Sequence, residues 1–183
     1  MNRFGTTRGL PFTGDNVRLI MDGRKTATRR ANVKVDQYKR LKPGDLIYVK
    51  ETYNILDVYE VDNGVFEYGY PFSSVPKSKP EYRHEVIYRA DQDDEESGWR
   101  PPMFMPKWAS RLWLQCTATW WTERIWDITE EGAVAEGMTG SETSTPREDY
   151  ELLWDQINAK RGPEYRWDAN PPVRVIEFRR IDL

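Results

Sequence analysis

Two stretches of the chain carry apolar residues at helical spacing, and most of the remainder alternates as strands do. In REDYELLWDQINAK, Tyr150, Leu153, Trp154 and Ile157 follow the i, i+3, i+4, i+7 rule of one buried helix face. Thr145-Pro146-Arg147-Glu148 in front of it reads as a capping box with proline at the first helical position, and Gly162 closes it. PFTGDNVRLIM, Pro11 to Met21, predicts a shorter helix capped by Asp15 or Thr13. Its Val17, Ile20 and Met21 share a face, and Gly23 is placed to stop it. TEEGAVAEGM predicts a third helix, capped by Thr129, with early glutamates suited to the positive helix end.

Between these lie the strand patterns. Pro43-Gly44-Asp45 is a turn, after which Leu46 to Val49 alternate. ILDVYEVDNGVFEYGY predicts a hairpin around Asp62-Asn63-Gly64, residues that tolerate positive φ. A short strand is expected over Glu85 to Arg89, then a loop from Ala90 to Pro106. MPKWASRLWLQCTATWWTERIWDI reads as one helical turn entering a long strand, with Trp113, Cys116 and Trp120-Trp121 packing on the sheet. VRVIEFRRI predicts the closing strand. The class is α+β, expected as a small β-barrel or curled sheet with helices on its rim.

Length and composition narrow this picture in few places. The 183 residues suit a single domain, and the eight tryptophans mark a chain that folds. No apolar run reaches the ~18 residues of a membrane span, and MNRFGTTRGLPF lacks the apolar core of a signal peptide. One cysteine, Cys116, makes no internal disulfide, so a cytoplasmic, reducing location is expected. One histidine, His84, reads as structural, which leaves too few ligands for a His/Cys zinc site. No metal or cofactor is expected.

Charge changes the picture more. Residues 1–50 hold twelve Lys/Arg and four Asp/Glu, a net +8, whereas the rest of the chain carries −11. Such asymmetry fits a basic face aimed at an anion, or two charge sets that neutralise each other in the fold. The basic excess centres on DGRKTATRR, Asp22 to Arg30. Lys25 and Thr28, three apart, would share a face on a helical turn. A desolvated lysine is a base, a threonine hydroxyl beside a base is a nucleophile, and Arg24, Arg29 and Arg30 suit phosphate or carboxylate. From spacing alone, a basic helix C-terminus that complements the macrodipole fits equally well.

Gly23-x-Lys25-x-x-Thr28-x-Arg30 resembles the GxKxxExR motif of the ASCH domain family, which implies a PUA-like β-barrel linked to RNA. LKPGDLIYVKETY, ITEEGAVAEGM and VRVIEFRRI are similar to further segments of that family, so the resemblance covers most of the chain. Residues about 54–110 then read as a long insertion of the kind found in larger members from bacteriophage and prophage genomes. Threonine at position 28, where most members carry glutamate, resembles the small bacterial ASCH enzymes that hydrolyse N4-acetylcytidine. That resemblance implies a catalytic set of Lys25, Thr28 and Glu136.

The expected activity is therefore amide hydrolysis of an N4-acylated cytidine. Arg24, Arg29, Arg30 and Tyr48 are expected to bind substrate, and Arg30 has Glu51 as a natural structural partner. Expected partners are a nucleoside, nucleotide or RNA, and no membrane. A binding module without catalysis is the alternative. A ribonuclease ranks third, since the dense carboxylate run, Asp91 to Glu96, lies in an expected loop.

Overall fold

The computed structural model describes residues 5–31, 38–72, 74–92 and 98–182. Its centre is a five-stranded sheet in the order β1-β3-β7-β8-β2, formed by β1 (Thr7–Pro11), β2 (Ala27–Ala31), β3 (Leu46–Lys50), β7 (Trp113–Arg124) and β8 (Pro172–Ile181). A second sheet, β5-β4-β6, holds the hairpin β4 (Tyr53–Asp62) and β5 (Val65–Pro71) with β6 (His84–Tyr88). Three α-helices complete the regular structure: α1 (Gly14–Met21), α2 (Glu130–Ala135) and α3 (Pro146–Asn158). The chain is α+β, as its patterning predicts.

The expected barrel is not formed. Among the described residues the central sheet is open, with β1 and β2 as its edges. Helix α1 packs on one face of this sheet. Val17 and Ile20 of α1 cluster with Leu10 and Phe12 beside β1 and with Ile176 and Phe178 of β8. Strand β8 is buried on both faces because strand side chains alternate. Ile176 and Phe178 meet the α1 cluster, while Val173 and Val175 meet Tyr150 and Trp154 of α3. The long antiparallel pairing of β8 with β7 anchors the sheet.

The second sheet lies in the span that reads as an insertion, and it has its own small core of Tyr53, Ile55, Met105 and Ala109. The hairpin turns at Asn63, whose φ of 36° is left-handed. Arg111 joins this region to β3: its guanidinium holds Glu51 through two 3.0 Å bonds and also pairs with Asp91. Glu51 therefore has Arg111 as its partner, and the expected Arg30–Glu51 pair is not formed.

Helix ends follow the local rules. Thr13, not Asp15, caps α1, accepting from Asn16 N–H at 3.4 Å. Thr129 caps α2, and Thr145 and Glu148 form the reciprocal capping box of α3. Two residues depart from the expected apolar faces. Met21 is exposed at the last turn of α1, and Ile157 is 41% exposed although it keeps the helical spacing. Of the acidic run Asp91 to Glu96, residues 93–96 lie outside the described residues, as does the Trp121 side chain. No helix among the described residues is long and apolar enough to cross a membrane.

Candidate active site

Lys25 is placed by three backbone hydrogen bonds in its own loop. The N–H groups of Arg24 and Lys25 both reach back to the Leu19 carbonyl of α1, at 2.9 and 3.0 Å. The Thr26 N–H reaches the Ala135 carbonyl at the end of α2, at 2.8 Å. Gly23, with φ of 73°, makes the left-handed turn that ends α1 and starts this loop. The loop is thus pinned between the C-termini of two helices, and Thr28 follows in β2 rather than on a helical turn. The expected helical spacing of Lys25 and Thr28 is replaced by a loop-to-strand step.

The Lys25 side chain is almost wholly buried, as is Glu136 at the C-terminal cap of α2. Its ammonium donates to the Glu136 carboxylate and, at 3.0 Å, to the Glu136 main-chain carbonyl. The second contact satisfies a carbonyl left open at a helix end. Glu136 is held from other sides too. Its Oε1 accepts from the Arg29 backbone N–H at 2.5 Å and from the Tyr150 hydroxyl at 3.2 Å. Burial pushes the Lys25 pKa below its ordinary value, opposed by the attraction and hydrogen bond of Glu136. Burial, then the neighbouring Glu136 charge, pushes the Tyr150 phenol well above its ordinary range, so it stays a neutral donor.

Arg29 alternates to a different surrounding. Its Nε pairs with Glu123 Oε1 at 2.7 Å, and Glu123 Oε2 accepts from Trp120 Nε1 at 3.0 Å. The guanidinium fits beneath α2 because position 132 is glycine. A Cβ there would stand 2.9 Å from Arg29 Nη2.

These groups border a cavity of about 470 Å³. Lys25, Thr28, Arg29, Arg30 and Glu136 all line it, with Phe12 and Asn16 beside α1 and with Tyr150, Leu153, Trp154 and Ile157 of α3. Thr28 is buried, yet its hydroxyl has no hydrogen-bond partner among the described residues. The site therefore offers a buried amine, a carboxylate that fixes it, an uncommitted hydroxyl and an apolar wall. That combination suits proton transfer and nucleophilic attack on a flat, mostly apolar group.

Two expected substrate contacts lie elsewhere. Tyr48 packs against Trp113, ring centres 6.0 Å apart, and does not border the cavity. Arg24 is exposed and reaches the Gly137 carbonyl at 3.5 Å. Conversely, the sequence reading misses Tyr150 and Arg161 as cavity residues. The α3 stripe reads as core by spacing, yet all four residues border the cavity: Tyr150 and Trp154 are buried there, while Leu153 and Ile157 are more open. A phenol inside an otherwise aliphatic and indole stripe was the available signal for Tyr150, since a buried hydroxyl needs a polar partner. The lone histidine is placed as expected, its ring between Tyr82 and Trp108. Among the described residues no group of three or more His, Cys, Asp or Glu side chains is arranged to hold a metal ion.

No family model matches the chain, and no curated protein does. A solved structure, the crystal structure of hypothetical protein PH0355, aligns over 96% of this chain and 100% of that one, at 14% identity and a TM-score of 0.47. A likeness at that level carries no argument about fold family or activity.

Proposed function

We propose that the cavity hydrolyses the amide of an N4-acylated cytidine, with Lys25, Thr28 and Glu136 as its working groups. The observation that carries this reading is the buried Lys25–Glu136 pair bordering the same cavity as a threonine hydroxyl without a protein partner. The volume, about 470 Å³, lies in the range of small-molecule sites, and the apolar wall from α3 suits a flat base. The similarity of GRKTATRR and AVAEGM to ASCH enzymes acting on N4-acetylcytidine supports the same assignment. Among the described residues the sheet is open, so this reading rests on the cavity and the motif and not on a closed barrel.

In the proposed reaction Lys25 first loses its ammonium proton to solvent, and the resulting amine takes the Thr28 hydroxyl proton as Thr28 Oγ1 bonds to the acyl carbon. The tetrahedral adduct collapses as the C–N4 bond breaks. The ammonium of Lys25 returns its proton to the leaving N4, which departs as the cytidine amine. Water then attacks the acyl-threonine, giving up a proton to Lys25; the ester oxygen of Thr28 is reprotonated and the carboxylic acid leaves. Glu136 holds the lysine in place through both half-reactions. It is itself fixed by the Arg29 N–H and Tyr150, so little reorganisation accompanies the charge change.

A binding role without turnover has one observation in its favour. Both Glu136 carboxylate oxygens already have protein partners, the pattern of a structural tie. Incubation with N4-acetylcytidine and chromatographic detection of cytidine separates the two readings. Turnover that disappears in Lys25→Ala supports hydrolysis, whereas saturable binding without product supports the module. Undiminished turnover in Lys25→Ala refutes the assignment.

A further inference from the structure

Two cations of the cavity, Arg30 and Arg161, have no ion-pair partner among the described residues, and Arg161 is held by Asn158 Oδ1 at 2.9 Å. Lys25 has the Glu136 carboxylate, and Arg29 has Glu123 at 2.7 Å with Glu136 at 3.6 Å. Arg30 has neither. Its Nη2 donates to the Pro11 carbonyl at 2.7 Å, and its guanidinium carbon lies 4.7 Å from the Phe12 ring centre. Its Nε is sealed from solvent with no hydrogen-bond partner among the described residues. A guanidinium keeps its charge even when burial disfavours it, and a buried charge without a counter-ion is costly. Its planar fork of donors matches phosphate oxygens.

A second cavity of about 480 Å³ adjoins the first at Pro11, which lines both. Arg8 and Lys50 stand in its wall, and no aspartate or glutamate does among the described residues. Arg8 Nε is likewise sealed from solvent, with no hydrogen-bond partner among the described residues. Two arginines therefore line adjoining cavities that meet at Pro11, Arg30 the first and Arg8 the second.

We propose that a phosphate group of the ligand sits at this junction, held by Arg30 and Arg8. The ligand class is then a nucleoside phosphate rather than a free nucleoside. This rests on the reading that the first cavity takes an acylated cytosine. The phosphate is either the terminal group of a mononucleotide or a diester within a strand, whose next nucleotide would enter the second cavity.

Titration calorimetry with N4-acetylcytidine, its 5′-monophosphate, a dinucleotide carrying the same base, and cytidine monophosphate tests this. The monophosphate is expected to bind wild-type protein about tenfold or more tightly than the nucleoside, the effect of one or two charge-assisted hydrogen bonds. Arg30→Gln and Arg8→Gln should each remove most of that advantage, and Arg30→Lys should keep part of it. Arg8 lies on an edge strand, so its variant carries the test if Arg30→Gln does not fold. A dinucleotide that binds more tightly still, dependent on Arg8, identifies the diester; equal binding identifies the terminal phosphate. Equal wild-type affinity for nucleoside and monophosphate overturns the anchor. Failure of the two readings is distinguishable. Arg30-dependent binding of cytidine monophosphate without any deacylation removes the hydrolase and leaves the anchor. Deacylation of nucleoside and monophosphate with the same kcat/KM does the reverse.

Discussion

The Lys25 ammonium and Glu136 meet twice across 111 residues of chain, once through the carboxylate and once, at 3.0 Å, through the Glu136 main-chain carbonyl. The lysine thus binds a charge and a helix end at the same time. Because both side chains are nearly inaccessible, removing either leaves a desolvated charge behind.

Stability should report that coupling directly. Lys25→Met is expected to cost about 3–5 kcal/mol, the usual result of breaking a buried pair from one side. Glu136→Gln should be costly for the same reason. The double variant should lose much less than the two losses added together, as measured by urea unfolding. Simple additivity would show that the two groups do not depend on each other.

Gly132 offers a sharper steric test. Alanine is the better helix former by about 1 kcal/mol, so propensity alone forecasts a gain. The new Cβ would stand 2.9 Å from Arg29 Nη2 and 3.2 Å from Ile128 Cγ1. Arg29 cannot yield freely, since its Nε is tied to Glu123 at 2.7 Å. Gly132→Ala should therefore lower the unfolding midpoint; a raised midpoint would mean that the guanidinium is loosely held.

Lys25 also sets a pH dependence. Burial lowers its folded pKa beneath the ordinary 10.5, with Glu136 opposing the shift. Between the folded value and 10.5 the unfolded chain binds more protons, so stability rises with pH through that window. Wild-type protein should gain stability relative to Lys25→Met as pH climbs through it. If the amine is the base, kcat/KM should climb over the same range. A flat difference between the two proteins would place the Lys25 pKa at its unfolded value.

Cys116 should be inert while the chain is folded. It is 1% exposed, and burial, reinforced by Asp45 and Glu177, pushes its thiol up to about 11. Ellman's reagent should modify it slowly in native protein and rapidly in denaturant. Fast native labelling would mean that the α1 side of the sheet opens readily.

Much of this fold was readable where local chemistry decides. Thr145 and Glu148 announce α3, and Asn63 marks the hairpin, because caps and turns depend on a few adjacent residues. Closure of the sheet was not readable. It depends on whether β1 and β2 pair with each other, which no local pattern encodes. The site divides the same way. Lys25 and Thr28 stand in one short motif, but Tyr150 reaches Glu136 from another helix, which no spacing along the chain encodes. Tyr48 stands away from this cavity: alternation in β3 shows that a side chain faces one side of the sheet, not what lies there. Its neighbour is Trp113.

The most direct test of the central claim is the rate of N4-acetylcytidine deacetylation by wild-type protein and by Lys25→Arg, which keeps the cation facing Glu136 but offers no base at neutral pH. The account predicts measurable turnover by wild type, and none by Lys25→Arg with the fold intact by circular dichroism. Wild-type rates in Lys25→Arg, or no turnover by wild type, would contradict it.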